Sequence, residues 1–404
     1  MNSRQRARLI LNHQEADRPA IDLGSTVVTG TSAWTYRAFK RALGLPSDSV
    51  RVHELFQMLA EVETPVLNTL GVDFAMLPKE DWLLGTRYGR WKPYTFWDGQ
   101  TFEVPADFDP TARPDGTLEH PFERGGPIRM RMPMGGRFFD FIPQPDSDPF
   151  DVRVVPESEW TFTESLSEEL LRSQEERART IYASCERALV AEPPIMAPTG
   201  YGGLYWWAIQ MMTEPEHCRS YMMRAAEATA KCLEQYLQAV GQYIEVCIIN
   251  LADFGTQDRE WFHPELFREF FVPAWKVCAD VVHRFPHIKT WIHCCGSVPR
   301  LIPYFIEAGV DCLNPVQWTA AGMGLRGLKE KYGDRLVFWG GAISTQRTFP
   351  FGSAEDVARE TREVLDIMCP GGGYVVNPIH NVLPEVPVEN ILALYRTALA
   401  YHRR

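Results

Sequence analysis

A chain of 404 residues with 45% hydrophobic, 23% charged and 12% aromatic side chains is neither disordered nor a small disulfide scaffold; its length suits one large barrel or two ordinary domains. Lys and Arg number 41 against 52 Asp and Glu, a net charge of −11, and no basic run interleaves with aromatics. That balance excludes the electrostatic footprint of a nucleic-acid binder and disfavours anionic lipid.

The apolar stretches, such as 246–252, fall far short of the ~20 residues that span a bilayer. The N-terminus lacks the apolar centre of a signal peptide and reads as a first helix capped at Asn2 or Ser3. Nine scattered cysteines, an odd number, suit a reducing compartment. These features predict a soluble cytoplasmic protein with neither membrane nor nucleic-acid partners.

After the first helix, 18–24 reads as a short strand ending at Asp22. Helical patterns follow at 33–43 and 52–70, and 72–78 is a second strand. From Lys79 to Pro156 the chain becomes rich in Gly, Pro and aromatics, with turns at Trp97-Asp-Gly-Gln, Pro114-Asp-Gly-Thr and Met134-Gly-Gly-Arg. Alternating runs between such turns predict hairpins, an inserted meander or lid within one domain spanning 1–404.

Beyond it, a long polar helix over 163–191 precedes a third strand at 194–198. Five further strands are expected at 244–253, 288–295, 310–316, 336–341 and 373–378. Helices at 264–284, 299–308, Leu325–Tyr332 and Ala354–Met368 lie among them. Eight strands, each followed by a helix, predict an α/β fold, a (β/α)8 TIM barrel with a β-rich insertion after the second strand. The alternative is a doubly wound sheet with a small second domain.

In such barrels chemistry sits at the carboxyl ends of the strands. Those ends carry Asp22, Asn250 and Asp253, His293 and Cys295, Asn314 and Gln317, Gly340 and Gly341, and His380 and Asn381. Within Trp291-Ile-His-Cys-Cys-Gly-Ser, strand alternation turns His293 and Cys295 to one face and Cys294 to the other. An imidazole and a thiolate so placed start a Zn2+ site, with His380 as the expected third ligand and Asp253 behind it. The alternative is a core histidine beside two small buried cysteines. Gly340-Gly341 follows a strand, where absent side chains admit a ligand to the backbone. Gly371-Gly-Gly precedes a strand and serves a tight turn. The run Tyr201-Gly-Gly-Leu-Tyr-Trp-Trp places Tyr205 and Trp206 beside glycines, where they can stack on a flat ligand or pack a core.

Several motifs carry a family resemblance: His293-Cys-Cys-Gly-Ser, the run from Leu301 to Gln317, Tyr332-Gly-Asp-Arg-Leu-Val-Phe-Trp-Gly-Gly, and Gly371-Gly-Gly-Tyr-Val-Val-Asn-Pro-Ile-His-Asn. Together with Asn12-His-Gln-Glu-Ala-Asp-Arg-Pro and Asp253-Phe-Gly-Thr-Gln, they resemble the uroporphyrinogen decarboxylase superfamily. The resemblance covers nearly the whole chain outside the insertion and implies a (β/α)8 barrel. Its metal-free decarboxylases carry an arginine-rich N-terminal segment, where this chain has Ile21-Asp-Leu-Gly-Ser-Thr. Its zinc methyltransferases, which work with corrinoid proteins, carry His-x-Cys on one strand and a further Cys near the last strand. His293 and Cys295 match the pair, and His380 replaces the last Cys.

The resemblance therefore implies Zn2+ on His293, Cys295 and His380, and a corrinoid (cobalamin) supplied by a partner protein. The implied reaction is demethylation of a small O- or N-methylated substrate, because a less anionic site is less suited to driving a thiolate. His293 and Asp253 are the expected catalytic residues, Asp253 orienting the substrate or giving a proton to the departing heteroatom. Gly340, Gly341, Asn314 and Gln317 are expected toward the cofactor, and Asp22, Tyr205, Trp206, Gln257 and Asn381 toward the substrate. A homodimer is the implied assembly. The rival readings are a metal-independent decarboxylase or lyase of a small carboxylate or tetrapyrrole, and a non-catalytic corrinoid-binding barrel.

Overall fold

The computed structural model describes residues 1–142, 154–201 and 203–402. Eight short strands form one parallel sheet: β1 (Ala20–Ile21), β2 (Phe74–Leu77), β3 (Ala188–Ala191), β4 (Val246–Asn250), β5 (Lys289–His293), β6 (Cys312–Asn314), β7 (Val337–Trp339) and β8 (Tyr374–Val376). From β2 to β8 each strand pairs with its successor, and β8 returns to β1 in register Ala20↔Val375. The β1–β2 seam is closed by the Asp73 N–H donating to the Ile21 carbonyl at 2.8 Å, while the Ile21 N–H donates to the Asp73 carboxylate at 2.9 Å. The expected α/β barrel is the architecture found.

Strand alternation divides the core in two. Phe74, Val190, Ile248, Trp291, Val337, Trp339 and Val375 fill the barrel interior, with Trp339 against Phe74 at 4.4 Å and edge-on to Trp291 at 6.1 Å. Ile292, Leu313 and Phe338 face outward against the helices. The N-terminal helix Ser3–Leu11 contributes Ala7, Ile10 and Leu11 to the inner cluster, so it plugs the amino end of the barrel. Asn2 caps it in a capping box with Gln5, as the sequence predicts.

Two expected elements are corrected. The polar helix runs over Glu168–Ser184, and the third strand is Ala188–Ala191 rather than 194–198. Cys185 is extended and ends the helix, and the Ala-Leu-Val-Ala run is buried on both faces. A four-residue apolar run abutting a helix has no periodicity of its own to betray it. The helix expected over 52–70 is instead an antiparallel pair, Val52–Glu54 with Leu59–Ala60, followed by the short helix Thr64–Thr69. The Glu54 carboxylate accepts the N–H groups of Phe56 and Gln57, each at 2.8 Å, and Met58 takes a positive φ of 56°. Both features hold the chain in a turn that a helix cannot contain. The helix expected over 264–284 is present, with a π turn at Phe267–Phe271.

Between β2 and Glu168–Ser184 lie short antiparallel strands, including the hairpin Trp91–Thr95 with Thr101–Pro105 around Asp98-Gly99. Another sheet orders Asp140–Phe141, Ile128–Met132, Leu118–Pro121 and Thr111–Ala112. Phe96 and Phe102 pack edge-on against Trp34 of the helix Ala33–Ala42 at 5.4 and 5.0 Å, joining this region to the main core. Residues 143–153 of the expected insertion, and Gly202 of the aromatic run, lie outside the described residues.

Candidate metal centre at the barrel mouth

His293 ends β5, Cys295 lies two residues beyond it, and His380 stands on the loop after β8. One ligand atom from each converges so that all three lie within 4.8 Å of one another. The Cys295 thiol is 3.3 Å from His293 Nε2, and the two imidazoles sit nearly perpendicular with centroids 5.3 Å apart. Cys294 points away and accepts the Phe254 N–H in the outer core, as the alternation argument predicts. The three residues expected to ligate are thus brought together from the end of β5 and the loop after β8, 85 positions apart in sequence (295 to 380).

Burial sets the protonation states. His293 is 3% exposed and its pKa is lowered by desolvation, against the opposing pull of Asp253 and Asn314. Desolvation and the neighbouring His293 push His380 down to about 3. Burial, then Asp253 and Cys294, push the Cys295 thiol well above its ordinary value. Two neutral imidazoles are ready to donate lone pairs, and the thiol must lose a proton to join them. Two nitrogens and one sulfur match the three protein ligands of a catalytic Zn2+ site, so the residues present fit the metal that the fold family implies.

Asp253, on the loop after β4, accepts the Cys295 N–H on Oδ1 at 2.7 Å, and that oxygen lies 3.6 Å from His293 Nε2. Its side chain is 52% exposed, and Oδ2 has no hydrogen-bond partner among the described residues. The loop reaches this position through glycines. A Cβ on Gly296, whose φ is +92°, would stand 2.5 Å from the Gly255 carbonyl carbon, so the two backbones touch.

The other expected residues divide sharply. Gln317 accepts the Gly296 N–H at 2.7 Å and donates to Gln257 at 3.1 Å, which leaves Gln257 exposed at the rim. Tyr205 is exposed on the helix Leu204–Thr213 and contacts the half-buried Trp206 edge-on at 5.0 Å. Asn381 is buried and ties loops together, accepting from Gly30 N and donating to Val27 O and Gln57 Oε1. Asp22 is also fully buried, accepting from the Trp339 indole at 2.9 Å and the Ser25 N–H at 3.2 Å; burial raises its pKa to about 6. Asp22 and Asn381 therefore build the wall rather than the open mouth. Gly340 and Gly341 also have a packing reason. Both have positive φ, and added Cβ atoms would meet the Pro378 carbonyl at 2.9 Å and the Val316 carbonyl at 2.5 Å, so protein backbone fills the space expected for a ligand. Gly371, Gly372 and Gly373 all have positive φ and turn the chain into β8 as expected.

Sequence reasoning missed a polar group on the same end of the barrel. Lys79, just past β2, pairs with Glu192, which directly follows β3, and both are largely buried. Nearby Glu54 is pushed up to about 7 by burial, which outweighs its two backbone hydrogen bonds and the pull of Lys79. The strand-end rule finds Glu192 once β3 is placed at Ala188–Ala191, so one misplaced strand hid it.

The family model described as uroporphyrinogen decarboxylase (URO-D) matches residues 169–401, which include all three converging ligands. This chain belongs to the uroporphyrinogen decarboxylase family. It is 27% identical over 217 residues to a uroporphyrinogen decarboxylase of Aliarcobacter butzleri, covering 50% of this chain and 58% of that protein. It is 26% identical over 188 residues to a methylated-thiol–coenzyme M methyltransferase of Methanosarcina mazei, covering 46% of this chain and 45% of that protein. The chain thus spans about half the length of the curated relatives it matches. A solved methyltransferase from Methanosarcina mazei superposes over 98% of both chains with a TM-score of 0.56 at 15% identity, which establishes the shared barrel fold. The family resemblance read from the motifs holds, including its methyltransferase side. No helix among the described residues is long and apolar enough to cross a membrane.

Proposed function

We propose that this barrel is a metal-dependent methyltransferase, moving a methyl group between a small O- or N-methylated compound and a corrinoid carried by a separate protein. The observation that carries the reading is the convergence of His293, Cys295 and His380 within 4.8 Å at the carboxyl end of the barrel. When bound there, Zn2+ supplies Lewis acidity to the heteroatom that bears the methyl group. A donor set of one thiolate and two neutral imidazoles leaves more of the ion's positive charge than two thiolates and one imidazole, which favours polarising an ether or amine.

The chain's own residues do the rest. Asp253 holds the Cys295 backbone with Oδ1, while its outward Oδ2 is placed to orient the substrate or to pass a proton to the departing heteroatom. Gln257 offers an amide at the rim, steadied by Gln317. Tyr205 and Trp206 present aromatic surface that can cover an apolar methylated group and exclude water. Purified protein should hold about one zinc per chain, and His293→Ala should abolish methyl transfer to cob(I)alamin. Metal-free protein of full activity, with His293→Ala unchanged, would overturn the proposal.

A metal-independent decarboxylase is the second reading, favoured by the similarity to the Aliarcobacter butzleri enzyme. Against it stand the exposed Asp253 carboxylate beside the converging ligands and a Lys79 already paired with Glu192, a poor setting for a polyanionic substrate. Full decarboxylation after exhaustive chelation is the result that selects it.

A further inference from the structure

Three hydrogen bonds run in series from β7 into the metal centre. The Trp339 carbonyl, at the end of β7, accepts from Asn314 Nδ2 at 3.1 Å. Asn314 Oδ1 faces His293 Nδ1 at 2.7 Å, and His293 Nε2 faces the Cys295 sulfur at 3.3 Å. A carbonyl can only accept, so the Trp339 oxygen fixes which end of the Asn314 amide is the NH2. Rotating that amide would set two oxygens against each other and leave a buried NH2 facing the imidazole. The amide oxygen is therefore held toward His293. It too can only accept, so Nδ1 must carry the proton and Nε2 the lone pair.

The relay is stiff at each step. Asn314 is 0% exposed and His293 3% exposed, so water offers neither an alternative partner. The Trp339 carbonyl sits in the strand ladder, with the next residue, Gly340, donating its N–H to Val375 O at 2.9 Å. A Cβ at Gly340 would come within 3.2 Å of Asn314 Nδ2, so the glycine leaves room for the amide. His380 is different: neither of its ring nitrogens has a hydrogen-bond partner among the described residues.

We propose that Asn314 is a positioning residue that fixes His293 in the Nδ1–H tautomer, presenting its Nε2 lone pair to the metal, rather than a residue that contacts the cofactor. Its second consequence is electronic. Metal-bound histidines commonly donate to a carboxylate, which makes them stronger donors. Here the acceptor is a neutral amide, which keeps His293 the weaker donor and leaves the bound ion more electrophilic. This deepens the metal-dependent reading of the same site and, in that consequence, rests on it.

The test separates the two claims. In metal-free protein with 15N-labelled histidine, His293 should show a protonated Nδ1 and an unprotonated Nε2. Asn314→Ala should mix the tautomers and lower zinc affinity in chelator competition by about 10- to 100-fold. Asn314→Asp keeps an acceptor toward Nδ1, its second oxygen carrying the proton that the Trp339 carbonyl accepts, so it should preserve the tautomer and bind zinc about as tightly as the wild type. A purely structural role for Asn314 would alter stability without moving the tautomer. An Nε2–H tautomer in the wild type, or one unmoved in Asn314→Ala, overturns the proposal. If Asn314→Ala does not fold, loss of the tautomer in Asn314→Asp does so instead. If the tautomer follows Asn314 but the wild type binds no zinc, the relay stands and the metal-dependent reading falls.

Discussion

The two imidazoles of the metal centre are unequal, and the inequality follows from what each touches. His293 closes a strand, is nearly inaccessible, and has its far nitrogen bonded at 2.7 Å. His380 stands on a loop and is half-buried, its ring packed edge-on against His293. A ligand already held in place loses little freedom when it binds, whereas one that must be ordered gives back part of its binding energy. His293→Ala should therefore lower zinc affinity by at least tenfold more than His380→Ala, as read by competition with a chromophoric chelator. Equal losses, or a larger one at His380, would count against this ordering.

Among the elements, the β1–β2 seam rests on few atoms. Among the described residues one backbone hydrogen bond joins these strands, and the buried Asp73 carboxylate adds the rest. It accepts from Arg6 of the N-terminal helix at 2.7 Å, from Arg18 ahead of β1 at 2.7 and 3.1 Å, and from the Ile21 N–H. Removing one member of a buried, hydrogen-bonded ion cluster strands the others, at a cost of about 3–5 kcal/mol. Asp73→Ala should lower stability by that amount in urea unfolding, with the zinc affinity of the folded fraction unchanged, because the metal ligands come from β5 and β8. The same seam shows why short strands were legible only in part. The strands of two to five residues are legible where turns set them apart from helices, whereas β3, with three residues between it and Ser184, is read as the last turn of a helix over 163–191.

At the scale of the whole molecule, the interior carries titratable groups whose states depend on the fold. Asp22 moves from an ordinary value of 3.8 to about 6 because it is buried, an effect its hydrogen bonds from Trp339 and Ser25 only partly offset. The folded protein thus holds this proton more tightly than the unfolded chain. The contribution of Asp22 favours the fold fully below about pH 4 and is lost as pH rises through about 6. Asn at this position cannot titrate, so Asp22→Asn should gain stability relative to wild type between pH 4 and 7. The gain approaches about 3 kcal/mol. Unfolding curves for both proteins across that range check it, since groups shared by the two cancel in the difference. A gap that stays constant with pH would remove Asp22 as its source.

The barrel, the carboxyl-end placement of the polar residues and the candidacy of His293, Cys295 and His380 were legible in the sequence alone. Each rests on something local: strand length, the alternation of faces along β5, and residue type at strand ends. What only the tertiary structure decided is what each polar side chain does there. Asp22, Asn314, Gly340 and Asn381 look alike from sequence as strand-end residues, yet they are spent on wall, tautomer, backbone crossing and loop tie. Lys79 and Glu192, 113 residues apart, become a buried pair only because β2 and β3 are neighbours in the sheet. A sequence specifies which groups reach the mouth of the barrel. Their partners, and therefore their charge and orientation, come from strands that the chain brings together only on closing.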